Sequence, residues 1–354
     1  MNAAIRQIAM ALPERRLTNA ELADPTIGWT AEKIEEKTGI AERRIAADDE
    51  CASDLAERAA TVLFAEGACD RDDIEFLILC TQSPDYVLPT TACLLQDRLG
   101  LPTHCGALDF NLGCSGFVYG LGLAKGLIES GQARNVLLLT ADTYSKYIDP
   151  DDRSVRTLFG DGATATCVGT TDHTESAIGP FVYGTDGRGG EHLIVPGGGA
   201  RNTSCTTSQP AGNITPSQLK MNGPEIFTFT LRTIPRLVND LLDRSEHVID
   251  DIDWFVFHQA NQYMLEHLRE KIGLPAEKFI ISMRDRGNTV SSTIPMALVD
   301  TQQEGRLKPG DKMMFVGFGV GLSWSATLAT WSPVGVTVAH DRKIDISTHE
   351  SLCT

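Results

Sequence analysis

DDIEFLILCTQS (72–83) and DDIDWFVFHQAN (250–261) are two versions of one pattern at widely separated places in the chain. Each begins with acidic residues and continues as a nearly unbroken apolar run of strand length. Such a run is typical of a parallel strand that helices cover on both faces. The pair therefore predicts two α/β halves built to the same plan.

Other segments repeat in the same order. LLQDRLGLP (94–102) resembles HLREKIGLP (267–275), and IESGQARNVLLLT (128–140) resembles TQQEGRLKPGDKMMFV (301–316). Chance similarity between short apolar runs does not explain a preserved order and spacing. The duplication therefore extends over most of the chain.

Helical segments alternate with these strands, so we expect mostly parallel, mixed sheets layered between helices. We divide the chain into an N-terminal half (1–180), a C-terminal half (181–334) and a polar tail (335–354). The Gly-, Ser- and Thr-rich stretch 184–213 is expected to be a long surface excursion with a short strand within 191–196. The predicted helices cover 53–67, 115–130 and 227–242.

Composition excludes several classes of function. The 354 residues carry a net charge of −16, which opposes binding to nucleic acid or to an anionic membrane. No apolar run approaches the roughly 18 residues that span a bilayer, and the first residues lack a signal-peptide pattern. The nine cysteines are odd in number and never form C-x-x-C, which argues against a disulfide framework and a zinc site. We expect a cytoplasmic protein without a metal.

NLGCSGFVYGLG (111–122) places Cys114 at the entrance of a glycine-rich helix that is apolar on all sides. Such a helix is expected in the interior. The amides and the dipole at its N-terminus would favour the thiolate, lower the pKa of Cys114 and stabilise an oxyanion. By itself the stretch is equally compatible with a buried structural cysteine.

His258 follows the second buried run, and Asn288 follows a glycine in RDRGNTVSSTIP (284–295). Loops at the carboxyl ends of parallel strands form the usual crevice, and a pseudo-twofold axis would bring both sets of loops together. A thiol, an imidazole and a carboxamide suit acyl transfer through a covalent thioester. A lone histidine at such a place is more often a hydrogen-bonded structural group.

As a set, these motifs resemble the β-ketoacyl-acyl-carrier-protein synthase III family of the thiolase superfamily, from about position 11 to 331. The resemblance implies a duplicated, thiolase-like α-β-α-β-α layered fold and a homodimer. It also implies a decarboxylating condensation of an acyl-CoA with malonyl-acyl-carrier protein, without a permanently bound cofactor. The motifs that carry it are EKTGIAERRIA (36–46), DFNLGCSGF (109–117), DPDDRSVRTLFGDGA (149–163), DWFVFHQAN (253–261), RGNTVSSTIPMAL (286–298) and GFGVGLSW (317–324).

The resemblance also assigns roles to individual residues. The catalytic residues would be Cys114, His258 and Asn288, with an oxyanion hole formed by the backbone N–H groups of Cys114 and Val320. CoA and its pantetheine arm would contact Lys33, Lys37, Arg153 and Asn261. The acyl pocket would be lined by Leu88, Phe159 and Phe227, and the carrier protein would contact Gln259, Tyr263, Arg269 and Lys271.

Some positions depart from the family pattern. The family commonly has a tryptophan at the position of Lys33 and an arginine at that of Lys37, whereas Trp29 is four residues out of register. An acyl-carrier protein therefore stays open as the acyl donor. Many members have a basic residue after HQAN, where this chain has Gln262 and Tyr263. Leu88 stands where phenylalanine is frequent, which favours a starter larger than acetyl.

Two other functions stay open at this point. One is a specialised acyltransferase or condensing enzyme of secondary metabolism or surface-polysaccharide assembly, which the altered CoA contacts favour. The other is an inactive partner subunit with the same fold, against which Cys114, His258 and Asn288 argue.

Overall fold

The computed structural model describes residues 1–171, 177–203 and 217–332, in which strands and helices alternate. The strands are β1 (Asn2–Ala11), β2 (Arg15–Thr18), β3 (Glu42–Ile45), β4 (Phe76–Cys80), β5 (Gly106–Phe110), β6 (Asn135–Asp142), β7 (Gly162–Thr171), β8 (Ile178–Thr185), β9 (Leu193–Ile194), β10 (Lys220–Met221), β11 (Trp254–Phe257), β12 (Lys312–Gly319) and β13 (Ser323–Thr330). The helices are α1 (Asn19–Leu22), α2 (Ala31–Thr38), α3 (Ala52–Ala65), α4 (Thr91–Arg98), α5 (Gly116–Glu129), α6 (Arg153–Arg156), α7 (Gly223–Ser245), α8 (Gln262–Ile272) and α9 (Thr293–Gln303).

Two large sheets follow the same plan. The first has the order β1-β7-β6-β4-β5, and the second has the order β8-β13-β12-β11. Strand β4 pairs in parallel with β5 and β6, and β11 pairs in parallel with β12. Where the first sheet has β5, the second has only a parallel bridge between Phe255 and Phe279.

The two copies of the repeated pattern form β4 and β11. Each strand follows a short 3-10 turn, at 71–73 and 249–251. Leu77 of β4 lies opposite Leu137 of β6, and Phe255 of β11 lies opposite Met314 of β12. The predicted duplication is therefore confirmed in the backbone, while the division of the chain at residue 180 stays a prediction.

Both sheets are mixed, as expected, but they are not mostly parallel. Strand β7 is antiparallel to β1 and β6, and β13 is antiparallel to β8 and β12. Only residues 320–322 connect β12 to β13. A connection this short cannot make the long crossover that a parallel pair requires.

The helices complete a five-layer arrangement. Helices α3 and α4 cover the outer face of the first sheet, and α7 and α8 cover that of the second. Helices α5 and α9 lie between the two sheets, in a continuous apolar cluster. A methyl group added to Gly120 of α5 would lie 2.5 Å from Leu138 Cδ1, so only a glycine allows this close approach.

The helices and the short strand predicted from the sequence are present in the structure. The predicted helices are confirmed as α3, α5 and α7, and β9 is the short strand predicted within 191–196. The predicted tail, 335–354, lies outside the described residues. Within the described ranges, no helix is long and apolar enough to cross a membrane.

The seven cysteines that the structure describes are all free thiols. In the same parts of the chain, no group of three or more His, Cys, Asp or Glu residues is arranged to hold a metal ion.

Candidate active site

Cys114 lies where the two halves of the protein meet. It follows the carboxyl end of β5 and precedes Ser115, the N-cap of α5. Two glycines of strand β12 in the other half, Gly317 and Gly319, pack against this segment. A methyl group on Gly319 would lie 3.0 Å from Cys114 Sγ, and one on Gly317 would lie 2.8 Å from Ser115 Cα.

The thiol of Cys114 is more basic than the sequence predicts. Burial raises its pKa to about 12, and the nearby Asp142 carboxylate acts in the same direction. The backbone N–H groups of Cys114 and Val320 donate to the sulfur and act against this rise, but they do not offset it. The expected lowering of the pKa is therefore wrong, because desolvation outweighs the donors near the helix N-terminus.

Asp142 is a titratable residue of the site that sequence reasoning missed. Its Oδ1 accepts a hydrogen bond from the N–H of Gln82 at 2.8 Å, and its Oδ2 accepts from the N–H of Ser291 at 3.3 Å and from the Ser291 hydroxyl. Burial raises the pKa of Asp142 to about 7. The signal that could have identified it is a carboxylate at the end of the apolar run NVLLLTAD.

His258 and Asn288 come from neighbouring loops of the second half. His258 follows β11, and its N–H donates to the carbonyl of Val316 in β12 at 2.8 Å. Its Nε2 lies 3.5 Å from Nδ2 of Asn288. The N–H of Val290 donates to Asn288 Oδ1 at 2.9 Å, which turns the amide nitrogen towards the imidazole.

The imidazole of His258 is enclosed by protein. Its side chain is buried, and desolvation lowers its pKa to about 3. Nδ1 lies 2.7 Å from the hydroxyl oxygen of Thr293, and Phe318 meets the ring edge-on. His258 is therefore neutral throughout the physiological pH range.

One apolar cluster links the thiol to the loop of Asn288. Phe159 packs in the same cluster as Cys114 and forms a parallel bridge with Asn288. The stretch 184–213 also contributes, through the buried Leu193, so it is more than a surface excursion. The buried members of the cluster are Cys114, Tyr144, Val155, Phe159, Leu193, Leu219 and Val290.

A polar pair lies within this apolar wall. The hydroxyl of Tyr144 donates to Oε1 of Gln82, and Nε2 of Gln82 donates to Oδ1 of Asn111 at 2.9 Å. Tyr144 also meets the ring of Phe159, with 5.1 Å between the ring centres. Sequence reasoning missed both residues, because no motif marks them as neighbours of Cys114.

Two residues predicted to line the acyl pocket, Leu88 and Phe227, lie outside the apolar cluster around Cys114. Leu88 is 79% exposed, so it does not line a pocket within a single chain. Phe227 packs against Tyr263 and His267, on the outer helices. Its neighbour Ile226 packs against the Cys114 cluster instead, because successive helical residues point in directions about 100° apart.

Three predicted CoA contacts gather around Trp29. Nζ of Lys37 lies 5.5 Å from the centre of the Trp29 ring. Nζ of Lys33 donates to the carbonyl of Gly28, the residue before Trp29, at 3.0 Å. Arg153 forms an ion pair of 2.9 Å with Asp24, whose backbone pairs with Trp29. The register difference in the sequence thus does not keep Trp29 away from these cations.

The side chains of Gln259 and Asn261, which follow His258, form hydrogen bonds within the protein. The side chain of Gln259 is buried, donates to the carbonyls of Phe257 and Ile280, and accepts from the N–H of Ser282. Gln259 is therefore not available to a carrier protein, because its hydrogen bonds fix it inside the fold. Asn261 caps α8 through its side-chain oxygen.

The predicted carrier-binding residues of α8 form a surface with little free positive charge. Arg269 forms ion pairs with Glu266 at 2.7 Å and Glu270 at 3.3 Å. These carboxylates compensate the charge that was expected to attract an acidic carrier. Lys271 and Tyr263 are exposed on the same helix.

Comparison with known proteins places this chain in a family. Residues 108–187 match the model of 3-oxoacyl-[acyl-carrier-protein] synthase III, and residues 242–331 match the model of its C-terminal part. The chain is 38% identical to beta-ketoacyl-[acyl-carrier-protein] synthase III 2 of Halalkalibacterium halodurans, over 93% of this chain and 97% of that protein. It is 36% identical to synthase III 3 of Streptomyces coelicolor, over 92% of this chain and 96% of that protein.

Solved structures agree. A crystal structure of a 3-oxoacyl-(acyl-carrier-protein) synthase III superposes with a TM-score of 0.91 at 54% identity, covering 94% of this chain and all of that one. A 3-oxoacyl-(acyl-carrier protein) synthase from Burkholderia xenovorans gives a TM-score of 0.87 at 37% identity, covering 94% and 95%. By these matches over more than nine-tenths of its length, the chain belongs to the 3-oxoacyl-[acyl-carrier-protein] synthase III family.

Proposed function

We propose that this protein is an acyltransferase that condenses an acyl-CoA with malonyl-acyl-carrier protein and releases CoA, CO2 and a 3-oxoacyl-carrier protein. The observation that carries the proposal is that Cys114 shares one apolar cluster with Phe159 and Val290, which lie beside the His258–Asn288 pair. Full-length relatives with 35–38% identity carry the name of this activity. No permanently bound cofactor takes part, and we expect the enzyme to act in the cytoplasm.

In the first half-reaction, the sulfur of Cys114 attacks the thioester carbon of the acyl-CoA. The C–S bond to CoA breaks, and CoA leaves as a thiol with the proton that Cys114 loses. The backbone N–H groups of Cys114 and Val320 point towards the reacting sulfur. They serve as the oxyanion hole for the oxygen of the tetrahedral intermediate.

In the second half-reaction, the malonyl group loses CO2 and the electron pair of the broken C–C bond moves onto the thioester oxygen. His258 and Asn288 stabilise this enolate as hydrogen-bond donors. A neutral imidazole is suited to this role, and the lowered pKa of His258 supports it. The enolate carbon attacks the acyl group on Cys114, and the released thiolate takes a proton from water.

The starter group is expected to lie along the cluster that contains Tyr144 and Phe159. A homodimer would complete this pocket. Tyr86, Val87 and Leu88 form an exposed apolar run, at 62%, 91% and 79% exposure. A second copy of the chain would cover this run and receive Leu88 in its acyl pocket, which is compatible with the exposure of Leu88 in a single chain.

The donor and the carrier are expected to approach the surface between Trp29 and α8. Lys33, Lys37 and Arg153 would bind the CoA phosphates, with Trp29 as the aromatic surface for the adenine. Asn261 would contact the pantetheine arm. Lys271 and Tyr263, which are both exposed on α8, would meet the carrier protein.

The test is an intact-mass screen of the wild-type protein against a panel of acyl-CoAs and acyl-carrier proteins, followed by malonyl-carrier protein. We expect one acyl adduct, its absence in Cys114→Ala, and its conversion to a 3-oxoacyl-carrier protein. An acyl adduct that persists in Cys114→Ala would exclude Cys114 as the nucleophile. An adduct that malonyl-carrier protein does not discharge would instead favour a specialised acyltransferase.

A further inference from the structure

The two ring nitrogens of His258 have different surroundings. Nε2 faces Nδ2 of Asn288 at 3.5 Å, on the side where the enolate is expected. Nδ1 faces the hydroxyl of Thr293, the first residue of α9, at 2.7 Å. Both His258 and Thr293 are buried, so bulk water does not supply hydrogen bonds to them.

A neutral imidazole carries one N–H, and its position decides what His258 can do. With the hydrogen on Nε2, the ring donates to an oxygen beside Asn288. With the hydrogen on Nδ1, Nε2 presents a lone pair to that oxygen and repels the developing charge. The proposed role in decarboxylation therefore requires the Nε2–H tautomer.

The position of the imidazole hydrogen is coupled to the Thr293 hydroxyl. That hydroxyl has one hydrogen and two acceptors within reach, Nδ1 of His258 at 2.7 Å and the carbonyl of Val290 at 3.1 Å. If the hydroxyl donates to Nδ1, the imidazole hydrogen must be on Nε2. The Val290 carbonyl also faces the imidazole. Because this carbonyl lies beside the Thr293 hydroxyl, loss of the hydroxyl would leave it as the acceptor that favours Nδ1–H.

The geometry around Asn288 agrees with the Nε2–H form. The N–H of Val290 holds Asn288 Oδ1 at 2.9 Å, so that the NH2 group faces the imidazole. The 3.5 Å separation between Nδ2 and Nε2 is longer than a normal hydrogen bond, as expected for two donors directed at one shared acceptor. Val290 reaches this arrangement at φ 56°, which a β-branched residue rarely adopts.

We propose that Thr293 is a positioning residue that donates its hydroxyl hydrogen to Nδ1 and thereby holds His258 in the tautomer that stabilises the enolate. The inference rests on the proposed function, because it assigns the imidazole a donor role at Nε2. Thr293 itself does not touch the substrate.

The test compares Thr293→Val, which keeps the shape and removes the hydroxyl, with Thr293→Ser, which keeps the hydroxyl. We expect Thr293→Val to lower the rate of CO2 release from malonyl-carrier protein about a hundredfold. Acylation of Cys114 should stay close to the wild-type rate, and Thr293→Ser should restore most of the loss. Thr301→Val is the matched control, because Thr301 is a buried threonine of α9 whose hydroxyl bonds only to the Ala297 carbonyl.

The second measurement is the 15N spectrum of the histidine side chains, with His258→Gln used for assignment. We expect the hydrogen on Nε2 in the wild type and on Nδ1 in Thr293→Val. Nε2–H in both proteins, or equal loss in Thr293→Val and Thr301→Val, would overturn the proposal. Failure of the wild type to condense any substrate would refute the proposed function, whereas the tautomer comparison would still decide the role of Thr293.

Discussion

Gly319 of β12 lies directly against the thiol of Cys114, so that a methyl group at position 319 would be 2.8 Å from Cβ and 3.0 Å from Sγ of the cysteine. Real Cβ atoms almost never approach to 2.8 Å. The position of the nucleophile in the first half of the protein therefore depends on the absence of a side chain in the second half.

Gly319→Ala should move the sulfur away from the backbone donors and slow acylation of Cys114. A displacement of about 1 Å at a reacting atom costs on the order of a hundredfold in rate. The time course of the acyl adduct by intact-mass spectrometry measures the effect. Gly223→Ala is the control, since a methyl group there meets nothing within 4 Å. Wild-type acylation in Gly319→Ala would show that the site adapts without loss.

The raised pKa of Cys114 makes a prediction for chemical modification. The thiolate is the reactive form, so alkylation of Cys114 by iodoacetamide should keep rising with pH up to pH 10, without a plateau. The exposed Cys93 provides a control thiol in the same protein. Peptide mapping across pH 6 to 10 separates the two sites. A plateau for Cys114 near neutral pH would show that the thiol is activated in the free enzyme.

Asp142→Asn should make Cys114 more reactive. The Asp142 carboxylate raises the pKa of the thiol, so removal of its charge should lower that pKa and increase alkylation at pH 8 to 9. Asp161→Asn is the matched control, because Asp161 is a second buried carboxyl group that does not act on Cys114. An equal increase in Cys114 alkylation in both variants would show that the cause is a less rigid fold around the thiol rather than the loss of the Asp142 charge.

The same substitution should change how stability depends on pH. Burial raises the pKa of Asp142 to about 7, above its value in the unfolded chain. The folded state then holds the proton more tightly, and this stabilisation is lost as the pH rises from about 4 to 7. It amounts to at most about 4 kcal/mol. Urea unfolding at pH 5 and pH 8 should therefore show a smaller decline for Asp142→Asn than for the wild type.

Sequence patterns predicted the position of those site residues that directly follow a strand. Cys114 and His258 follow apolar strands, and their place at the sheet edges follows from the parallel pairing of those strands. The high pKa of Cys114 was not predictable, because its burial depends on Gly317 and Gly319 from the other half.

The substrate contacts were harder to predict, for reasons of side-chain direction. The choice between Phe227 and Ile226 depends on which face of α7 meets the pocket. The resemblance predicted that Gln259 contacts the carrier protein, but its hydrogen bonds with Phe257, Ile280 and Ser282 turn it inwards. Such choices depend on contacts between segments far apart in the sequence.

Tyr144 is expected to limit the length of the starter group. Tyr144→Leu removes ring volume beside Phe159 and should shift the preference among acyl-CoAs towards longer chains, by about tenfold per added methylene group at the limit of the pocket. Tyr144→Phe removes only the hydroxyl that bonds to Gln82, so it should keep the length preference. Competition between acetyl-, butyryl- and hexanoyl-CoA measures this directly. A shift in both variants would assign the selectivity to the hydroxyl.

The ion pairs of Arg269 lead to a prediction about the carrier protein. Glu266 and Glu270 compensate its charge, so Glu266→Gln combined with Glu270→Gln should free the guanidinium and make this surface more positive by two charges. If an acidic carrier binds at α8, the KM for malonyl-carrier protein should fall about threefold, and the fall should disappear at high salt. Acylation by acyl-CoA should not change. Glu304→Gln, which releases Arg306 from a comparable surface pair, is the control. An unchanged KM in the double variant, at low as well as high salt, would place the carrier on another surface.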